Sequence, residues 1–410
     1  MELVELVESE DEFFRERVRF ARRSGASFDI HLTRPAGVPP PVTKDHIFIL
    51  GAMCAFALAE DYEQSLPASE EIIHGFDKAQ EIWRSWRPYR RKVSVSAQRA
   101  PDAASHSMDD VVDDRDVAAF FSGGVDSLYT TTKLGPKITS LISIAHVADE
   151  PTAIRGGFDR LAELSPYAQA TNRKHYFIAS NLMTAVPEVH DAWAYLSHGA
   201  ALAAVAHALS GSIRAAEISS TYAHHQLIPW GSHPSTDPLF STRTLRVGHF
   251  GADVDRVQKT FRIAEDPDAL SILSVCGEGR LPGPFVNCSG CQKCLRTMMT
   301  LDLANVDRRL ATTFDWSGYA PAKAEDIFLR TEGEYVFARE IRNKADALAR
   351  SDVSKPIGRM MDKSRRYIAL ARSEMFLRQR FPAIARAKTK LVALRSIVYR
   401  LFGLKRQLNP

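Results

Sequence analysis

The sequence predicts an α/β protein built on a doubly wound parallel sheet, and three observations predict it. Apolar runs of strand length alternate with helix-patterned segments between residues 116 and 219, which is the pattern of βαβ units with right-handed crossovers. The first of these runs ends in a glycine turn that opens a helix. The composition, 45% hydrophobic and 25% charged over 410 residues, is that of a globular chain with room for two or three domains.

The glycine turn comes first in importance. Asp116 to Phe121 is an apolar strand, Ser122-Gly123-Gly124-Val125-Asp126-Ser127 the turn, and Leu128 to Leu134 continues as a helix. Two adjacent glycines let the backbone approach an anion closely. The free N–H groups at the helix start then point at that anion. Asp126 can orient a metal or an amide, and Ser122 and Ser127 flank the turn with hydroxyls. The blander reading is a tight turn with a serine cap. The motif is not a Walker loop, because no Gly-Lys-Ser/Thr follows. It resembles the SGGxDS signature of the PP-loop, or N-type, ATP pyrophosphatase superfamily. That resemblance implies an adenine nucleotide alpha hydrolase-like fold, ATP with Mg2+, and cleavage between the α and β phosphates.

The other elements follow in order. Residues 1–97 read as a separate N-terminal α+β domain. Phe28 to Leu32 alternates as a strand, and Ile47 to Leu58 is apolar enough for a buried helix or strand. Ser69-Glu70-Glu71 opens a helix whose stripe from Ile72 to Trp86 is core, and Lys92 to Ser96 reads as a strand. Nothing there carries recognisable chemistry, so a docking or substrate-presenting role is the expectation. Residues 98–115 are a linker rich in alanine, serine and aspartate. A catalytic domain over 116–314 follows, with strands at 116–121, 138–145, 174–179 and 213–219. Helices are expected near 155–164 and 195–209.

After the fourth strand, Pro229 to Ser241 crowds prolines, aromatics and polar groups into one loop. Loops on rigid α/β scaffolds carry function more often than packing. Ser232, His233 and Asp237 are therefore candidate substrate contacts, against the alternative of a proline-stiffened surface loop. Asp126, Ser127 and Asp237 are the candidate catalytic residues.

Four of the five cysteines cluster: Cys276, then Cys288, Cys291 and Cys294. Cys-x2-Cys pairs are the usual bite of a tetrahedral Zn2+ site, and four thiolates leave no open position, so the metal is structural. An iron–sulfur cluster is the rival. Leu295 to Leu303 reads as the helix that anchors this knuckle. A glycine turn of this type followed by these cysteines is similar to the 7-cyano-7-deazaguanine synthase (QueC-like) branch of the superfamily, over roughly residues 116–303. The resemblance implies ATP-dependent adenylation of a substrate carboxylate, then conversion to an amide or nitrile. The acceptor is a 7-deazaguanine-type carboxylate of queuosine biosynthesis, or a protein or nucleotide modified in an anti-phage system. Where that family carries a Tyr-Pro-Asp-Cys-like loop, this chain reads His-Pro-Ser-Thr-Asp-Pro. Two rival functions are a tRNA-thiolating enzyme with an iron–sulfur cluster and a non-catalytic nucleotide-binding partner protein.

Residues 315–410 read as a basic helical region. From Lys355 onward there are fifteen Lys or Arg and only Asp362 and Glu374 as acids. Leu391 to Leu404 places an apolar stripe among them. Such a helix suits nucleic acid, an anionic membrane surface or an acidic partner, or else packs on the body with a solvated basic face. The acidic start Met1-Glu2-Leu3-Val4-Glu5 reads as neither signal nor transit peptide, and no apolar run is long enough to span a bilayer. A cytoplasmic protein is the expectation.

Overall fold

A computed structural model describes residues 1–10, 12–100, 114–276 and 286–380. These residues form an α/β protein with ten strands in one sheet. The strands are β1 (Glu2–Glu10), β2 (Phe13–Ala21), β3 (Ser27–Pro35), β4 (Tyr62–Ala68), β5 (Val95–Arg99), β6 (Asp116–Phe120), β7 (Ser140–His146), β8 (Lys174–Ser180), β9 (Ile213–Ser219) and β10 (Arg246–Phe250). The helices are α1 (Asp45–Leu58), α2 (Glu70–Trp86), α3 (Val125–Leu134), α4 (Pro151–Ala162), α5 (Ser165–Ala170), α6 (Pro187–Ala192), α7 (His198–Ala208), α8 (Arg256–Ile263), α9 (Pro267–Ile272), α10 (Gln292–Leu303), α11 (Glu332–Ala347) and α12 (Ser351–Arg380).

The strand order is β10-β9-β6-β7-β8-β3-β2-β1-β4-β5. From β10 to β8 all neighbours are parallel. β8, β3, β2 and β1 then pair antiparallel, and β1, β4 and β5 are parallel again. Within the parallel half, β6 starts the order: the chain winds outward through β7 and β8, then returns to β9 and β10 on the other side. The reversal makes a switch point at the carboxyl end of β6, where ligands bind in open α/β sheets.

The N-terminal segment does not stand apart as a domain. β3 pairs with β8 at Leu32↔Ser180 and Thr33↔Ala179. Asn181 seals the seam, accepting from the His31 backbone N–H at 3.0 Å and donating to Asp29 O at 2.9 Å. Helix α1 ties the segment into the first unit. It is apolar on every side, and Ile47, Phe48, Ile49, Leu50 and Cys54 are wholly buried. A helix without a polar face must be covered all round, and its core is continuous with that of α7 and β6. The linker centre, residues 101–113, lies outside the described residues.

Two compact units result: Met1–Trp86 with Arg91–Ser274, and Arg87–Arg90 with the described residues from Val275 onward. The expected 116–314 domain is therefore cut at Ser274, and the cysteines belong to the second unit with α10, α11 and α12. The helix that carries the last cysteine, α10, packs on α11 there. Four strands go beyond the expected set, namely β1, β2, β4 and β10, and the strand expected at 92–96 begins at Val95. The helix expected over 195–209 opens instead with a π-turn, Trp193–Ser197. No helix among the described residues is long and apolar enough to cross a membrane. The apolar stripe at Leu391 to Leu404 lies outside the described residues.

Candidate functional site

The glycine turn sits at the switch point. Phe121 N–H still bonds Ile142 O at 2.7 Å, so strand pairing runs to the edge of the turn. Gly123 has φ +70°, a left-handed backbone that favours glycine. A Cβ there would lie 2.9 Å from Leu164 Cδ2 and 3.2 Å from Ile272 O. Gly124 caps α3 in an extended conformation without a side-chain cap. Ser122 and Ser127 shape the turn from inside. Ser122 Oγ accepts from Gly124 N–H at 3.4 Å, and Ser127 Oγ accepts from Ser122 N–H at 3.3 Å and donates to Gly124 O at 3.0 Å. Ser127 is buried, and its hydroxyl supports the turn.

Asp126 meets two cations that sequence reading did not single out. Arg256 Nη1 bonds Asp126 Oδ2 at 2.6 Å, and Lys259 Nζ stands 3.5 Å from Asp126 Oδ1. Both lie on α8, where an Asp255–Gln258 capping box fixes the first turn. Lys259 is 1% exposed and also donates to Ser220 O at 2.5 Å. Two positive side chains and the amino end of α3 thus converge at one place, which favours an anion. Behind the turn, Ser143 Oγ donates to Phe121 O at 2.6 Å and meets His175 Nε2 at 2.8 Å. Burial lowers His175 to about 4, so this support is neutral at physiological pH. Phe121 and Tyr167 stack at 5.2 Å.

The expected substrate loop is organised around Asp237, which is wholly buried. Its Oδ2 accepts from Ser232 Oγ at 2.6 Å and from His249 Nδ1 at 2.8 Å; its Oδ1 accepts from His233 N–H at 3.1 Å and from Thr236 Oγ1 at 3.4 Å. A Cβ on Gly199 would fall 2.2 Å from Asp237 Oδ1, so the glycine at the start of α7 makes room for it. Four internal donors thus occupy the Asp237 carboxylate. Ser232 is likewise buried. His233 is half-buried against the Trp86 ring at 4.8 Å, and burial lowers its pKa. The π-turn brings Trp193 to 5.4 Å from His198 and Tyr195 to 5.8 Å from Trp230, with Tyr222 on Trp230 as well. π-turns recur at functional sites.

In the second unit, the ligand sulfurs of Cys276, Cys288, Cys291 and Cys294 lie within 4.8 Å of one another, and this is the metal-competent cluster among the described residues. Cys294 Sγ is 3.8 Å from Cys288 Sγ and 3.5 Å from Cys291 Sγ. Bonds of about 2.3 Å to a tetrahedral zinc ion put sulfurs about 3.8 Å apart, so the donor set fits a metal ion. Buried Asn287 ties the two halves: its Oδ1 accepts from Val275 N–H at 2.8 Å and Cys276 N–H at 3.1 Å, and its Nδ2 donates to Thr313 O at 3.2 Å. Ser289 turns the loop with φ 57°. The glycines and prolines between Cys276 and Cys288 lie outside the described residues. Compared with models of protein families, with curated proteins and with solved structures, the chain gives no match.

Proposed function

We propose that this chain is an ATP-dependent carbon–nitrogen ligase that forms AMP and pyrophosphate, of the 7-cyano-7-deazaguanine synthase type. One observation carries the reading. An SGGVDS turn with an uncapped helix start lies at the switch point of a parallel sheet, beside Arg256 and Lys259. In this reading the ATP phosphates rest on the N–H groups of Gly123 to Ser127. Arg256 and Lys259 supply the charge that stabilises the departing pyrophosphate. Asp126 is the carboxylate at the turn suited to hold Mg2+. A substrate carboxylate attacks the α-phosphate, and an amine displaces AMP to leave an amide. Positioning and charge stabilisation carry this chemistry. Zn2+ in the cysteine cluster is structural, since four thiolates saturate it.

The test is pyrophosphate release from ATP and magnesium, comparing wild type with Asp126→Ala, with and without 7-carboxy-7-deazaguanine. Release that needs the deazaguanine and drops at least about a hundredfold in the variant supports the synthase-type ligase. Release without it keeps adenylation and moves the acceptor to a protein or nucleotide. No release from wild type overturns the reading.

A further inference from the structure

The proposed ligase chemistry needs a proton acceptor, and no base is legible in the sequence. His249 lies near the carboxyl end of β10, the same end of the sheet as the glycine turn. A short chain of contacts joins the two: Lys259 reaches Asp126 and donates to Ser220 O, and Ser220 N–H donates to the O of Phe250, the residue after His249. The His249 side chain is 2% exposed, and its Nδ1 lies 2.8 Å from Asp237 Oδ2. A carboxylate only accepts hydrogen bonds, so Nδ1 carries a proton, and in the Nδ1–H tautomer the lone pair lies on Nε2. That Nε2 is buried and meets no hydrogen-bonding group among the described residues. A buried acceptor left unmet is costly, and an N–H of a bound ligand removes that cost. The titratable groups facing His249 are Asp237, His198 and His233.

We propose that His249, positioned by Asp237, accepts the proton released when the amine attacks the acyl-adenylate. This rests on the ligase reading. The nitrogen lone pair forms the bond to the acyl carbon, and the bond from that carbon to the AMP oxygen breaks. AMP leaves with the electron pair, and the N–H proton passes to Nε2. Asp237 is then a positioning residue that selects the Nδ1–H tautomer, not a group that touches substrate.

The experiment uses the full chain with ATP, magnesium, 7-carboxy-7-deazaguanine and ammonium chloride, and follows pyrophosphate and amide separately. His249→Asn keeps a donor toward Asp237 and lacks Nε2. It is expected to retain single-turnover pyrophosphate release within about threefold while amide formation falls about a hundredfold. The acid limb of the pH–rate profile for amide formation should disappear, and added imidazole should restore amide formation in His249→Ala. Wild-type rates and profile in His249→Asn overturn the proposal and leave the ligase reading standing. Wild type that releases no pyrophosphate overturns both, and wild type that releases pyrophosphate but forms no amide overturns the proposal alone. Should the variants not fold, nitrogen-15 NMR of histidine-labelled wild type decides: the Nδ1–H tautomer at His249 is expected, and the Nε2–H tautomer overturns the proposal.

Discussion

Lys259 shows how much a single buried charge says about a site. A lysine ammonium 1% exposed is expensive to keep without compensation. Asp126 and Ser220 O provide part of that compensation, and Arg256 competes for the same carboxylate. Two cations beside the turn favour an incoming polyanion. We expect Lys259→Met to weaken ATP binding by about tenfold or more, the scale of one lost charge-assisted bond, measured by calorimetry with ATP and magnesium. Unchanged affinity would remove Lys259 from the site. The glycine turn and the cysteines are legible in sequence because each motif is local. Arg256 and Lys259 are not, because they stand 130 and 133 residues from Asp126. Only the return of the chain to β9 and β10 brings them there. His249 is hidden in the same way.

Among the elements, β2 explains both a missed strand and a stability device. Its inward row is Glu16, Val18 and Phe20, with Arg15, Arg17 and Arg19 on the other face, where Phe13 is buried against Phe158. The alternation is there, but Glu16 occupies an inward position and disguises it. Glu16 is wholly buried and meets Arg34 at 3.2 Å, Lys44 at 3.1 Å and His46 at 3.2 Å. Burial alone raises its pKa; His46, Lys44 and Arg34 outweigh burial and hold the carboxyl well below its ordinary range. A carboxylate depressed in the folded state contributes stability above its unfolded pKa and loses it as pH falls. That loss should begin below about pH 4.5, the ordinary glutamate value. Glu16→Gln leaves Arg34 buried without its counter-charge and should cost about 3–5 kcal/mol. Urea unfolding at pH 7 and pH 4 tests both points. A cost that is small at pH 7, or equal at the two pH values, would show that Glu16 is not the organising charge. β1 was missed for a different reason. Its repeat of glutamates at positions 2, 5 and 8 hides the period of two, and it pairs with β4 only at Glu2↔Glu63.

At the scale of the molecule, the alternating strands and helices were readable from 116 to 219, whereas the division into units was not. It depends on α1 lacking any polar face and on the β3–β8 seam, which joins residues about 150 apart in sequence. The second unit has its own apolar interior, with Val336, Phe337 and Ile341 on α11 and Val353, Ile357 and Met360 on α12. A metal ion in the cysteine cluster would therefore have a specific task there. It would close the segment from Val275 to Cys294, which Asn287 ties to Thr313 and Ser289 ties to Asp315, while α11 and α12 have side-chain packing of their own. Structural zinc contributes folding free energy directly. Chelation, or Cys291→Ser, should accordingly speed amide exchange in residues 286–303 by about a hundredfold or more. Helices α11 and α12 should change much less, and the parallel sheet should keep its protection. Elemental analysis of the purified chain is expected to return one zinc per chain, against iron for the rival cluster. Equal loss of protection in all three regions would mean that the metal supports the whole fold, and no loss anywhere would mean that the four thiols hold no structural ion.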